Sequence, residues 1–153
     1  MVAGATHWVG SHPVRRGLTI ADLGDLVDLP LLAVLATYRG DGTVLLSPVW
    51  HEYRAGGFNV CSSTGDSKVR HLLRDPRAVL VVAEPRPPYR GVQLTTQATL
   101  TQVGVAETVG RIAVRYLGKA AGEAYAGSAP DDVVVRLEPG QLRAWDFADT
   151  ALG

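Results

Sequence analysis

The chain has a single cysteine, Cys61, so no disulfide can form within it. One cysteine and four scattered histidines also leave no ligand spacing of the kind zinc sites use. Net charge is missing too: 15 basic and 15 acidic residues cancel to a formal charge of zero. That balance excludes the broad positive field on which nucleic-acid binding depends, and there is no polybasic or amphipathic membrane anchor. No apolar run approaches the roughly 18 residues a bilayer span needs. The N-terminal stretch MVAGATHWVGSHPVRRG lacks the apolar middle of a signal peptide. We therefore expect a cytoplasmic protein with a short, loose leader over residues 1–16. No internal repeat or low-complexity linker breaks the chain, and none of its serines sits in a G-x-S-x-G elbow. Lysine is scarce: of the 15 basic residues only Lys68 and Lys119 are lysine, a composition typical of a GC-rich bacterial genome.

What is present is a core. Hydrophobic residues make up 46% of 153 residues, which fits one domain over residues 17–153. TIADLGDLVDLP carries Ile20, Leu23, Leu26, Val27 and Leu29 near helical spacing, with Thr19 as N-cap and Pro30 as stop. LLAVLATY, TVLLSPVWHEY and FNVCSS read as three strands joined by the turns RGDG and RAGG, an antiparallel meander. Pro48 marks the second of them as an edge strand or a bulge. DSKVRHLLRDP suits a short helix capped by Asp66 or Ser67 and ended by Pro76. RAVLVVAE and GVQLTTQATLTQV are further strands on either side of the rigid proline loop PRPPY. VAETVGRIAVRYLG gathers Val105, Val109, Ile112, Ala113 and Tyr116 on one helical face. DDVVVRLEPGQLRAWDF closes the chain as two strands about a turn at Pro139-Gly140. Six or seven short strands with three or four short helices predict a mainly β protein built as a small antiparallel barrel.

One connection is richer than a turn requires. Between two strands, CSSTGDSKVR supplies the hydroxyls of Ser62, Ser63, Thr64 and Ser67 and the cation of Lys68 at the start of a helix. A cation in a helix's first turn opposes the dipole, and it makes sense there if an anion lies between it and the helix N-terminus. Arg70 is close enough to reach the same group. The plainer reading is ordinary capping with solvated basic side chains.

The LAT…DG…SPVW hairpin, the strand ending in small polar residues, SKVRHLLRDPR and PPYRGVQL follow one another from about Leu31 to Leu100. Their order and spacing resemble the split-barrel flavin-binding proteins related to pyridoxamine-phosphate oxidase, above all the actinobacterial oxidoreductases that use the deazaflavin coenzyme F420. A weaker likeness continues through VVVRLEPGQLRAWDF. The resemblance implies an FMN-binding type of split β-barrel acting as a homodimer, with the cofactor between subunits. It implies a cofactor phosphate near Ser62, Ser63, Ser67 and Lys68, with Arg70 beside it. The backbone of Ser47, Pro48, Val49 and Trp50 would run along the ring, and Tyr89, Arg90 or Trp145 would close the site from either chain.

The expected activity is hydride transfer between reduced F420 and a small unsaturated or oxidised organic substrate. The alternatives are an FMN-binding oxidase or reductase, a non-catalytic cofactor or haem carrier, and a structural dimer whose site has decayed. F420 is preferred because the oxidases place an arginine and a lysine where this chain has Ser47 and Glu52. Asp66 is a second departure, since many deazaflavin-using relatives have a basic residue near it.

No catalytic residue is nominated, because such a cofactor carries the chemistry itself. His51, Tyr89 and Arg90 are the candidates for a proton donor. His51 alternates with Trp50 along its strand, so an inward Trp50 would turn His51 outward. Glu84 with Arg86 is expected to form a solvated rim, and Cys61 to be half-buried and inert.

Overall fold

The computed structural model describes residues 17–128 and 132–148, and the expected leader lies outside the described residues. Its strands are β1 (Ala33–Tyr38), β2 (Val44–Val49), β3 (Glu52–Arg54), β4 (Gly57–Ser63), β5 (Arg77–Ala83), β6 (Gly91–Thr101), β7 (Asp132–Leu137) and β8 (Gln141–Trp145). The helices are α1 (Ser67–Arg74), α2 (Val105–Leu117) and α3 (Lys119–Gly127). All strand pairs are antiparallel, in the order β2-β1-β5-β6-β7-β4-β3, with β8 also on β6.

That order forces the sheet to roll up. β2 and β3 lie at opposite ends of the path, yet only Trp50 and His51 separate them in the chain. So short a link spans roughly 10 Å at most, so the two ends must come together. The result is the split barrel expected from the sequence, parted between β2 and β3. It has eight strands rather than seven because TVLLSPVWHEY is broken at this parting. Pro48 lies on β2, whose only strand partner among the described residues is β1, which agrees with the reading of an edge.

Apolar alternation explains what fills the barrel. Leu35, Leu80, Leu94, Phe58, Val60, Val135 and Leu137 are essentially inaccessible and belong to one core cluster. β6 is long enough to serve both halves of the barrel. Its first part pairs with β5 and β8, and Ala98–Thr101 pairs with β7. The sequence reading placed a turn at Pro139-Gly140 between two strands; β7 and β8 do flank it, but they pair with β6 and not with each other as a hairpin. They run one after the other along β6, and the bend between them brings Gly140 so near that a Cβ would sit 2.6 Å from the Thr95 carbonyl oxygen.

Two further expectations are corrected. Residues 19–29 form two single 3-10 turns, Ala21–Leu23 and Leu26–Asp28, not one helix. Gly24 between them has φ of 62°, outside helical space, while the buried Leu23, Leu26 and Val27 still reach the core. The N-cap of the first turn is Ile20, without a side-chain cap, rather than Thr19. Thr19, one position earlier, donates its N–H to the Asp22 carboxylate at 2.8 Å, and its hydroxyl accepts from the Asp22 N–H at 3.4 Å. The second correction is α3, which the sequence reading did not assign.

Candidate functional site

The parting between β2 and β3 is stitched by the end of α2. The Arg115 Nε–H donates to the His51 carbonyl, and its two other nitrogens donate to the carbonyls of Asp28 and Leu29. The His51 N–H donates to the Tyr116 hydroxyl at 3.1 Å, which donates in turn to the Leu31 carbonyl at 2.6 Å. These bonds replace the ladder that the break removes. They also fix Trp50, whose ring stacks on Tyr116 with centroids 4.9 Å apart and planes 7° from parallel. Tyr125 of α3 leans on Trp50 from 5.5 Å.

Beside this parting lies a cavity of about 280 Å³. Pro48, Val49 and Trp50 form one wall, and Cys61, Ser62 and Ser63 at the end of β4 form another. Asp66 and Lys68 at the start of α1, Tyr125 and Asp132 complete it. Six of the eleven nominated residues thus come together: Pro48, Val49, Trp50, Ser62, Ser63 and Lys68. Cys61, Asp66, Tyr125 and Asp132 are the lining residues the sequence reading did not nominate for binding.

The polar end of this cavity has a defined bonding pattern. The Ser62 hydroxyl donates to an Asp66 carboxylate oxygen at 2.6 Å, and the Lys68 ammonium donates to the same oxygen at 3.3 Å. The Ser62 bond leads in holding the Asp66 carboxyl below its ordinary range; partial burial opposes this and Lys68 adds to it. Asp132 accepts a bond from the Ser63 hydroxyl at 3.4 Å. Burial is the main cause that pushes the Cys61 thiol up to about 12, with Asp132 and Glu52 adding to it, so Cys61 stays protonated and unreactive. Two neutral hydroxyls and one ammonium are a donor set that fits an anionic group, and Trp50 offers a flat ring nearby. Asp66 already engages two of those donors.

The other five nominated residues, Ser47, Ser67, Arg70, Tyr89 and Arg90, lie off the cavity, as does Trp145. Ser47 is half-buried on β2, opposite Leu35. Arg70 donates to the Gly65 carbonyl and the Ser67 hydroxyl, on the exposed side of the loop. Arg90 is locked to the Glu84 carboxylate at 2.8–2.9 Å, to Asp25 at 2.7 Å and to the Leu23 carbonyl at 2.8 Å. Glu84 therefore pairs with Arg90 rather than forming a solvated rim with Arg86. Tyr89 is half-buried beside it with φ of 55°. Trp145 packs against Gly91, where no Cβ would fit, at the β6–β8 pair.

Two inferences about His51 and Glu52, at the parting and the start of β3, change. Glu52 does not face the cavity. It is buried and accepts bonds from the Arg111 guanidinium at 2.8 and 3.0 Å and from the Asn59 amide at 2.9 Å. Burial alone would raise its carboxyl, but Arg111 and Asn59 outweigh it and hold the group ionised. His51 does not point outward either. It is wholly inaccessible, neither ring nitrogen has a hydrogen-bond partner among the described residues, and burial followed by the charge of Arg115 lowers its pKa to about 4. It is a neutral core residue, tilted against Phe58 and set edge-on to Tyr116.

A mainly β barrel, parted at one seam with a polar cavity beside it, defines a split-barrel protein. The model of the family described as pyridoxamine 5'-phosphate oxidase matches residues 22–146, and the chain belongs to that family. No curated protein is significantly similar in sequence. Among solved structures, the conserved hypothetical protein Rv2991 from Mycobacterium tuberculosis is 22% identical with a TM-score of 0.76, covering 93% of this chain and 94% of that one. A structure described as an F420 reductase is 22% identical with a TM-score of 0.64, covering 78% and 94%. HutZ, the haem storage protein from Vibrio cholerae, is 14% identical with a TM-score of 0.66, covering 83% and 94%. At these identities the likeness is one of fold.

Proposed function

We propose that the chain is an oxidoreductase that seats a flavin-type cofactor in the cavity beside the β2–β3 parting, and that the cofactor is coenzyme F420 in preference to FMN. The observation that carries this reading is the meeting of Trp50, the Ser62 and Ser63 hydroxyls and the Lys68 ammonium in one cavity of a split barrel of this family. The F420 reductase on the same fold agrees with it. Bound there, F420 would supply two-electron hydride transfer to or from a small unsaturated or oxidised organic substrate.

The chain's own part is positioning. Ser62 and Lys68 would hold the phosphate, and Trp50, fixed by Tyr116, would set the depth of the ring. Lys68 is the only cation lining the cavity among the described residues, with side-chain exposure of 19%. FMN carries a phosphate monoester of charge near −2. The phosphodiester of F420 carries a single charge and asks less of one ammonium, which favours F420. The oxidase-type cations missing at Ser47 and Glu52 are not replaced. Tyr125 holds a phenolic proton at the cavity wall, where a reduced substrate could take it up. His51 is a neutral imidazole at neutral pH and cannot act as the acid, because it is buried and its pKa lies near 4.

A homodimer is part of the same proposal. Leu32, Val34, Val44 and Leu46 lie exposed on the outer face of the β1–β2 hairpin, with Leu46 at 63% and Leu32 at 60%. Such a patch is a partner surface in a soluble protein, and Pro48 and Val49 of the same hairpin border the cavity. Sedimentation should give twice the monomer mass.

The test of function is a titration with F420 followed by tryptophan emission. Saturable quenching in the micromolar range or tighter, with FMN weaker, is expected. Reduced F420 should then turn over with members of a panel of enones, quinones and tetrapyrroles. Absence of F420 binding overturns the reading, and binding without turnover leaves a carrier.

A further inference from the structure

We infer that Asp66 decides what the cavity accepts, because its carboxylate occupies the anion seat as a tethered competitor for a cofactor phosphate. This rests on the cofactor reading given above and concerns a residue outside the donor set of that reading.

Asp66 is the N-cap residue of α1, with extended backbone at φ −68° and ψ 147°. An aspartate there ordinarily turns its carboxylate back onto an N–H of the first turn. This one makes no such bond. Its carbonyl accepts from the N–H groups of Val69 and Arg70, at 3.1 and 3.2 Å. The carboxylate instead points to the cavity donors and takes the Ser62 hydroxyl and the Lys68 ammonium on one oxygen. The side chain forgoes its capping role and binds where an external anion would bind.

The charge of the lining follows from this. Asp66 and Asp132 contribute two negative charges and Lys68 one positive, with Cys61 a neutral thiol, so the wall as a whole carries a net negative charge. An incoming phosphate must displace the Asp66 carboxylate from both donors and then lie beside it. Like charges in one partly dehydrated site repel, and the more charged ligand suffers more. In the native chain the contacts a phosphate makes with Ser62 and Lys68 should therefore be offset in part by the displacement of Asp66, most of all for a doubly charged monoester such as that of FMN. Removing the charge at position 66 should free Ser62 and Lys68 for the ligand.

FMN and riboflavin differ only by the phosphate, which makes them the probes. Asp66→Asn keeps a good capping residue and a shape that still meets Ser62. Asp66→Ser is the second variant, equally suited to the cap. Thermal melting first establishes that each is folded. We expect both variants to bind FMN about tenfold or more tightly than the native chain, the gain from one charge-assisted contact, and riboflavin within about twofold. A gain confined to FMN supports the inference. Equal gains for both flavins, or none for FMN, overturn it. F420 is titrated into the same proteins. F420 binding by the native chain with no FMN gain overturns the inference and leaves the cofactor reading standing. No binding of F420 or of either flavin by any of the proteins overturns both.

Discussion

Arg90 and Lys68, which the sequence nominated for the same site, both pair with carboxylates. Arg90 is saturated. It satisfies Glu84 in a two-pronged pair, reaches Asp25 and the Leu23 carbonyl, and ties the proline loop to the 3-10 turns. Both carboxyls are held below their usual range, with the bond from Arg90 as the leading cause in each. Lys68 by contrast makes, among the described residues, one long contact of 3.3 Å, to a carboxylate that also serves Ser62, beside a cavity. A planar fork with every acceptor in place is a fastening. An ammonium with three donors and a single distant acceptor can exchange partners. The difference separates a cluster that holds the fold from one that can hold a ligand.

The contrast breaks first at Arg90. Arg90→Ala should lower the unfolding free energy by about 3 kcal/mol, since it strands the nearly buried Glu84 carboxylate. Urea denaturation measures this, and the folded fraction should bind F420 as before. A loss of affinity with no loss of stability would reverse the assignment.

The next largest effect is expected at His51 on acidification. Its pKa is lowered in the fold to about 4 from 6.5, so the unfolded chain takes up the proton first as the pH falls. Stability is therefore complete above about pH 6.5, declines from there down to about pH 4, and should be about 2 kcal/mol lower by pH 5. His51→Leu should remove that part of the slope, as read from denaturation midpoints across the range. An unchanged slope would show that His51 titrates normally.

Lys68→Ala should weaken F420 about tenfold, the worth of one charge-assisted bond, while leaving the melting temperature within a few degrees. Fluorescence titration checks this. Arg70→Ala is expected to be the mildest change, with affinity within about twofold, because Arg70 engages Gly65 and Ser67 rather than the cavity. A tenfold loss at Arg70 would move the anion seat to the outer side of α1.

Much of the fold was legible because its signals are local. Alternation of apolar residues marked the strands, Asp66 and Pro76 bounded α1, and the order of short motifs pointed to the family. What escaped depends on distant contacts. The break at Trp50-His51 is decided by Arg115 and Tyr116, more than 60 residues away, and nothing in TVLLSPVWHEY announces it. His51 turns inward because the chain leaves the ladder there, and strict alternation no longer applies. α3 is rich in alanine and glycine and carries no apolar stripe. It is held by close approach to α2, where a Cβ on Gly122 would lie 2.6 Å from the Val114 backbone. Tyr125 was missed with it. At the site, the cavity residues on β2, β4 and α1 were found because they cluster in two short motifs. Arg90 was nominated from the family resemblance, and its pairing with Asp25 was invisible from either segment. The bonds from Ser62 and Lys68 to Asp66 lie within one short loop, so that signal was present, but capping was the more usual use of the carboxylate.

The central claim is that the cavity between the β2–β3 parting and α1 seats the phosphate and ring of a deazaflavin. A crystal structure of the chain with F420 tests it most directly. The account predicts the phosphate within hydrogen-bond distance of Ser62 Oγ and Lys68 Nζ, the ring beside Trp50, and the Asp66 carboxylate turned away from both donors. Cofactor bound elsewhere, with the Ser62–Asp66–Lys68 contacts intact, would contradict it.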